Sequence, residues 1–266
     1  RRPGARIARR AHLPALQRLI ARLLPVLLAL LVLSAATASP LLQATPALAP
    51  VSIPATPPSF GLNSHLATRY PDPSSMDVPA ALVSELGVNW VREDIHWHRV
   101  QPRPDMWDWT FSDAALRALL SRGINVLGVL GPSVGWATPH RGDVPNDVSY
   151  YPPDTAAFVE YARGVVTRYH RYVKYWEIWN EPDHAIFWRP DPDPAAYADL
   201  LIRTAAAIRA IDPEAQILIG GINPFDTTFL RAVAEHSAWD SFDIIAIHPY
   251  VDPFGPEDGN LAAATH

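Results

Sequence analysis

Residues 155–180 carry the sequence TAAFVEYARGVVTRYHRYVKYWEIWN, in which a helical pattern leads directly into a short apolar run. Large apolar side chains recur at helical spacing in the first part, at Phe158, Tyr161, Val165, Val166 and Tyr169. Asp154 precedes this pattern and is a favourable N-cap. The apolar run over 173–180 predicts a strand. This stretch therefore predicts one helix followed by one strand.

The same alternation of strands and helices recurs along the chain. Strands are predicted near 59–63 (SFGLN), 88–95 (VNWVREDI), 124–130 (INVLGVL), 173–180 (VKYWEIWN), 216–222 (QILIGGI) and 242–248 (FDIIAIH). A further helix is predicted over 194–211, because Pro194 follows Asp193 and suits the first helical turn. Alternation of this kind predicts a parallel α/β sheet with right-handed crossovers.

Such a sheet is either doubly wound or closed into a barrel. No GxGxxG motif follows the first predicted strand, so the dinucleotide-binding form of the doubly wound sheet has little support. We therefore predict an α/β fold of the TIM (β/α)8-barrel type with about six of its eight strand–helix units. Residues 59–266 are fewer than the roughly 250 that the fold usually needs.

Three segments of different composition divide the chain. Residues 1–38 are predicted to be a signal peptide or membrane anchor, because an arginine-rich stretch precedes the apolar run LLPVLLALLVL at 23–33 and the small residues Ala36-Thr37-Ala38. Residues 39–58 are rich in Pro, Ala, Thr and Ser and are predicted to be a linker. The barrel domain is predicted over 59–266, and the protein is expected to be secreted or extracytoplasmic.

The charge of the chain bears on its partners. Seven arginines lie within residues 1–22, and the rest of the chain has 15 basic against 27 acidic residues. An acidic body repels phosphates, so nucleic acid is not an expected partner, and a membrane is expected only if the N-terminal segment is an uncleaved anchor. There are no cysteines, which excludes disulfides and thiolate chemistry. Neutral carbohydrates remain compatible with this charge.

The strongest local signal is Trp176-Glu177-Ile178-Trp179-Asn180-Glu181-Pro182. Catalytic groups of (β/α)8 barrels lie where strands end, and Pro182 cannot continue a hydrogen-bonded strand. Asn180 and Glu181 are therefore expected at the active-site end of the fourth strand. The alternative, a surface or helix-capping glutamate, gives no reason for the asparagine and the tryptophans beside it.

This segment resembles the fourth-strand signature of retaining glycoside hydrolases of the (β/α)8-barrel clan, such as cellulases and β-xylosidases. The resemblance runs from about Phe60 to Tyr250. Its other blocks are Gly61-Leu62-Asn63, Trp90-Val91-Arg92, Trp97-His98-Arg99-Val100-Gln101-Pro102, Trp107-Asp108-Trp109, Gly123-Ile124-Asn125-Val126-Leu127 and Ala246-Ile247-His248-Pro249-Tyr250. These blocks match the family both in their residues and in their order along the chain.

The resemblance implies a role for six residues. Glu181 would be the catalytic acid/base, and Asn180 would hydrogen-bond the 2-hydroxyl of the sugar. Arg92 would help to keep the nucleophile ionised. His248 and Tyr250 would line the site, and Trp136 would be a sugar platform. For three of these the alternatives stay open: Arg92 could pair with Glu177 inside the barrel, His248 could be a core histidine, and Trp136 could be ordinary loop packing.

The nucleophile of the family is a second glutamate at the end of the seventh strand, which is expected beyond His266. Only Asp252, Glu257 and Asp258 are acidic after the sixth predicted strand, and they fall in its trailing loop. Because the retaining mechanism needs two carboxyl groups about 5–5.5 Å apart, residues 1–266 alone are expected to be inactive. They are also expected to be poorly folded, because an unclosed barrel exposes strand edges and core.

Two other functions remain open. His96 and His98 form an H-x-H pair at a strand end, which would suit a metal-dependent barrel hydrolase if His248 and further ligands joined them. A non-catalytic carbohydrate-binding barrel would keep the cleft without the nucleophile. The resemblance implies a carbohydrate substrate, a monomer, and neither a metal nor an organic cofactor, since two carboxyl groups suffice for the chemistry.

Overall fold

A computed structural model describes residues 60–139 and 148–250. Its centre is a sheet of six parallel strands, numbered here in chain order, which neighbour one another in that same order. The strands are β1 (Leu62–Asn63), β2 (Trp90–Ile95), β3 (Asn125–Leu130), β4 (Tyr175–Ile178), β5 (Gln216–Ile222) and β6 (Ile244–Ile247). All six strands lie where the sequence predicts them. The predicted signal segment, the linker and the acids Asp252, Glu257 and Asp258 lie outside the described residues.

Helices connect the strands. They are α1 (Leu66–Arg69), α2 (Asp77–Glu85), α3 (Trp97–Val100), α4 (Thr110–Leu120), α5 (Thr155–Tyr169), α6 (Pro194–Ile211) and α7 (Thr228–Glu235). Single 3-10 turns occupy Pro73–Ser75, Gly135–Ala137 and Trp239–Ser241, and a short antiparallel pair joins Ser133–Val134 to Val148–Ser149. No helix of residues 60–139 and 148–250 is long and apolar enough to cross a membrane.

Two of the helices begin as the sequence predicts. The Asp154 carboxylate accepts a hydrogen bond of 2.8 Å from the Ala157 amide at the start of α5. Asp193 accepts bonds of 3.0 Å from the Ala195 and Ala196 amides at the start of α6, which has Pro194 in its first turn. Each aspartate satisfies amides that have no partner within their helix, a contribution of about 1 kcal/mol per cap.

The sheet is buried on both faces at its centre and more open at its ends. All four residues of β4 are buried, and the ring of Trp176 lies so close to Gly128 of β3 that a Cβ there would come within 2.6 Å of it. In contrast, Leu62 of β1 and Ile245 and Ile247 of β6 are about 40% exposed. The described sheet is therefore open, since β1 and β6 each have one neighbour. This arrangement brings the carboxyl ends of six parallel strands to one edge.

Candidate active site

A cavity of about 250 Å³ lies at the carboxyl ends of the strands. Residues at or just after the ends of β1, β2, β3, β4 and β6 contribute to its wall: Asn63, His65, Arg92, Asp94, His96, Gly131, Asn180, Glu181, His248 and Tyr250. Parallel strands present their carboxyl ends on one side of the sheet, so residues far apart in sequence meet there. Five of the six residues singled out in the sequence line this cavity: Arg92, Asn180, Glu181, His248 and Tyr250.

The turn after β4 has an unusual backbone. Trp179 and Glu181 both have positive φ angles, 72° and 48°, a region that side chains other than glycine and asparagine seldom adopt. Trp179 holds this conformation because its amide donates to the Leu130 carbonyl and its indole N–H donates to the Phe187 carbonyl, at 2.9 and 2.8 Å. The indole also packs edge-on against Trp188. The turn that results places both Asn180 and Glu181 on the cavity wall.

Glu181 has a direct partner in His248. Nδ1 of His248 lies 2.5 Å from Oε1 of Glu181, and the two side chains are 18% and 16% exposed. The imidazole ring lies over Gly221, where a Cβ would come within 2.1 Å of Nε2, so the ring can approach only because this residue is glycine. His248 thus lines the cavity and contacts Glu181, although its strand pattern alone left both the cavity and the core open.

Arg92 is occupied by two other side chains. Its Nε and Nη2 donate to the two carboxylate oxygens of Glu177, each at 2.8 Å, and Nη2 also donates to Oδ1 of Asn180 at 2.8 Å. Burial opposes the charged form of Arg92, but the hydrogen bonds and charge of Glu177 outweigh it and raise the pKa of Arg92. The pairing with Glu177, one of the two possibilities left open, is therefore the arrangement found. Arg92 also fixes the amide of Asn180, whose NH2 group remains available to the cavity.

Asp94 lines the same cavity, and the sequence analysis did not single it out. Its Oδ2 is bound by Nδ1 of His65 and lies 3.5 Å from Nε2 of His96. Burial alone would raise the pKa of this carboxyl, but the two imidazoles lower it well below its usual range. The signal was available, since Asp94 follows Arg92 by two residues on β2 and so lies on the same face of the strand.

Trp136 does not line either of the two cavities described here. Its indole is half-buried, packs edge-on against Trp97 and donates to the Gln101 carbonyl at 3.2 Å. The packing alternative describes this position better than a sugar platform does. Tyr250, in contrast, is 75% exposed and contacts the ring of His248 at the mouth of the cavity.

A second cavity, of about 330 Å³, adjoins the first at Glu181. It shares Glu181, His248 and Tyr250 with the first cavity. Its other walls come from the loops after β4 and β5 and from the start of α7: Asp183, His184, Asn223, Phe225, Asp226 and Phe229. The Asn223 amide donates to Asp183 at 2.7 Å and so joins the two loops. Sequence reasoning did not identify this cavity, because its residues belong to no motif.

The histidines of the H-x-H pair do not lie on one face of a strand. β2 ends at Ile95, and α3 begins at Trp97 between the two histidines. His96 contacts Asp94, whereas burial lowers the pKa of His98 to about 4. Among residues 60–139 and 148–250, no group of three or more His, Cys, Asp or Glu side chains is arranged to hold a metal ion. The geometry therefore gives the metal-dependent alternative no support.

No protein-family model matches the chain, and no curated protein is detectably similar to it. Solved structures are similar. A family 39 glycoside hydrolase from the gut symbiont Bacteroides cellulosilyticus WH2 has a TM-score of 0.58 and 22% identity, over 74% of this chain and 39% of that chain. A monomeric β-xylosidase from Caulobacter crescentus CB15 has a TM-score of 0.57 and 25% identity, over 72% of this chain and 41% of that chain.

A xylanase from Paenibacillus barcinonensis has a TM-score of 0.55 and 16% identity, over 77% of this chain and 63% of that chain. The chain spans about two fifths of the length of the first two of these proteins. The resemblance that the sequence motifs indicated is therefore confirmed for the fold. The six described strands form an open, partial (β/α)8 barrel, similar in fold to these glycoside hydrolase structures.

Proposed function

We propose that the protein hydrolyses O-glycosidic bonds of β-linked poly- or oligosaccharides by a retaining double displacement, with Glu181 as the acid/base. The observation that carries this proposal is the position of Glu181 between two cavities, with Asn180 on the wall of only one of them. A bond cleaved at Glu181 would have its sugar in the first cavity and its leaving group in the second. The neighbours named above, a glycoside hydrolase, a xylosidase and a xylanase, support a carbohydrate substrate.

The geometry supports a specific division of labour. His248 can donate from Nδ1 to Oε1 of Glu181, so the transferable proton of Glu181 belongs on Oε2. That proton would pass to the glycosidic oxygen as the leaving group departs, and the resulting carboxylate would then take a proton from the incoming water. Asn180, oriented by Arg92, would donate from its NH2 group to the sugar 2-hydroxyl, a contact that strengthens in the transition state.

The second carboxyl group of this mechanism remains a prediction. Glu177 accepts hydrogen bonds from Nε and Nη2 of Arg92 and from the Gly221 amide at 3.0 Å, so its carboxylate is fully used inside the sheet. The family resemblance assigns the nucleophile to a seventh strand beyond His266. A barrel that binds carbohydrate without that nucleophile is the alternative function.

The first test compares full-length protein with Glu181→Ala on aryl β-glycosides. With a poor leaving group, loss of the general acid should lower kcat/KM about 100- to 10,000-fold. With a dinitrophenyl leaving group, which needs no protonation, the first step should survive, and azide should restore turnover and form a β-glycosyl azide. Glu160→Gln, a change on the exposed face of α5, is the matched control and should leave the rates unchanged.

Each contrary result has a clear meaning. An azide product of α-configuration would contradict a retaining mechanism. Glycoside binding by the full-length protein without any turnover would identify the carbohydrate-binding alternative.

A further inference from the structure

Asp94 has one carboxylate oxygen occupied and one free. Both of its imidazole contacts, from His65 and His96, are made to Oδ2. Oδ1 has no hydrogen-bond partner among the residues that the structure describes. The side chain is 10% exposed, and Asp94 and both of its histidines line the first cavity.

The surroundings make this a built site and not an incidental exposed acid. His65 has a positive φ of 52° and lies in the short turn between β1 and α1. That turn is fixed from beneath by Glu93, which accepts from the Ser64 hydroxyl and from the Ala67 amide at 2.7 Å. Glu93 itself is fully buried and lies on the opposite face of β2. The strand and the turn therefore hold Asp94 and His65 in fixed positions relative to each other.

The free oxygen can accept a hydrogen bond from a ligand in the cavity that Asp94 lines. Hydrogen bonds to a charged carboxylate are stronger than those between neutral groups. An anionic ligand would be repelled, and a metal site is not formed by the described side chains. A neutral polyol such as a sugar ring carries hydroxyl donors for this hydrogen bond.

We propose that Asp94 binds a ring hydroxyl of the sugar in the first cavity, at the 3- or the 4-position. This assignment rests on the proposed function for its orientation, in which Asn180 takes the 2-hydroxyl. Asp94 lies two residues beyond Arg92 on β2, about 7 Å along the strand from the side chain that orients Asn180. At that separation, Asp94 would contact a ring carbon position beyond the 2-hydroxyl that Asn180 binds. His65 and His96 act as positioning residues, since they contact Asp94 through Oδ2.

The test is a binding cycle with sugars that lack single hydroxyls. Phenyl 1-thio-β-D-xylopyranoside and -glucopyranoside resist hydrolysis, so their affinities are measured by calorimetry whether or not the protein is active. Full-length protein should bind either the 3-deoxy or the 4-deoxy analogue about 10- to 100-fold more weakly than the parent sugar. In Asp94→Ala the same deoxygenation should change Kd by no more than about twofold, while the cost of removing the 2-hydroxyl stays as in the unaltered protein.

Glu160→Gln is the matched control, because it alters an exposed carboxyl on α5 that lines neither cavity. It should preserve the full cost of the sensitive deoxygenation. Asp94→Asn serves if the alanine variant is unstable, since it keeps the shape and removes the charge, and it should reduce that cost.

The assignment is overturned if Asp94→Ala weakens all the analogues by the same factor, or if no thioglycoside binds. If the hydroxyl-specific cost depends on Asp94 but no glycoside is ever hydrolysed, the assignment stands and the proposed catalytic function fails.

Discussion

Arg92 illustrates how one side chain can link the interior of the sheet to the cavity. It neutralises Glu177, which is 1% exposed, and it orients the amide of Asn180 at the strand end. A buried ion pair of this kind adds little net stability over an apolar pair, but removing one partner leaves an uncompensated charge. Arg92 therefore contributes order to the site more than it contributes to the free energy of folding.

We expect Arg92→Met to lower the free energy of unfolding by about 3–5 kcal/mol, because it leaves the carboxylate of Glu177 buried without its partner. The double variant Arg92→Met/Glu177→Gln should recover a large part of that loss, since the buried charge is then gone. Urea unfolding at neutral pH measures both. Arg163→Met, which breaks only an exposed 3.6 Å pair with Glu160, is the control and should change the free energy by less than about 0.5 kcal/mol. A double variant no more stable than the single one would contradict this account.

Individual site residues differed in how far the sequence determined them. Glu181 and Asn180 lie on the cavity wall as the motif at the strand end predicts, whereas the strand pattern of His248 left both the cavity and the core open. Asp94 was not singled out, although it shares a strand face with Arg92, because its contact with His65 depends on a turn that has no sequence signature. For Trp136 the sequence left both a sugar platform and loop packing open, and in the structure its ring packs against Trp97 and lines neither cavity.

At the scale of elements, Glu93 of β2 holds the β1–α1 turn in place through its hydrogen bonds to Ser64 and Ala67. Burial and, to a smaller extent, the negative charge of Asp94 raise the pKa of Glu93 to about 7. Hydrogen bonds from Ser64 and from the Ala67 and Leu66 amides lower the pKa, but they offset only part of this rise. The folded protein thus binds a proton more tightly than the unfolded chain. Stability from this group is fully present below pH 4.5, the ordinary value, and declines as the pH rises through about 7.

Glu93→Gln should therefore flatten the pH dependence of stability between about pH 4.5 and 7. A shift of this size corresponds to a decline of roughly 3 kcal/mol across that range in the unaltered protein. Thermal unfolding at several pH values, followed for both proteins, measures the difference. Parallel curves would show that Glu93 is not the group responsible.

The elements themselves were largely predictable, and their ends were less so. The fourth strand was predicted over 173–180, but β4 ends at Ile178, because the backbone of Trp179 enters the left-handed region directly after its amide donates to Leu130 of β3. The first strand was predicted over five residues and has two, since only Leu62 and Asn63 have partners on β2. Hydrophobic pattern determines which segments enter the sheet, whereas the local backbone determines where pairing stops.

At the scale of the whole molecule, residues 1–38 remain predicted to be an export signal. If they are cleaved after Ala38, a host capable of export should release a protein whose first residue is Ser39, which N-terminal sequencing would identify. Replacing the arginines at 18 and 22 with glutamate should impair export, because the positive region before the apolar run directs insertion. Recovery of an uncleaved, membrane-bound chain would instead identify an anchor.

The left-handed conformation of Glu181 sets function against stability at this turn. Glycine at this position would relieve about 1 kcal/mol of backbone cost or more. Selection for heat resistance alone would therefore favour replacement of Glu181, although the proposed chemistry depends on its carboxyl group. A screen for more stable variants of this protein therefore has to measure turnover as well as melting temperature, because the two have opposite requirements at residue 181.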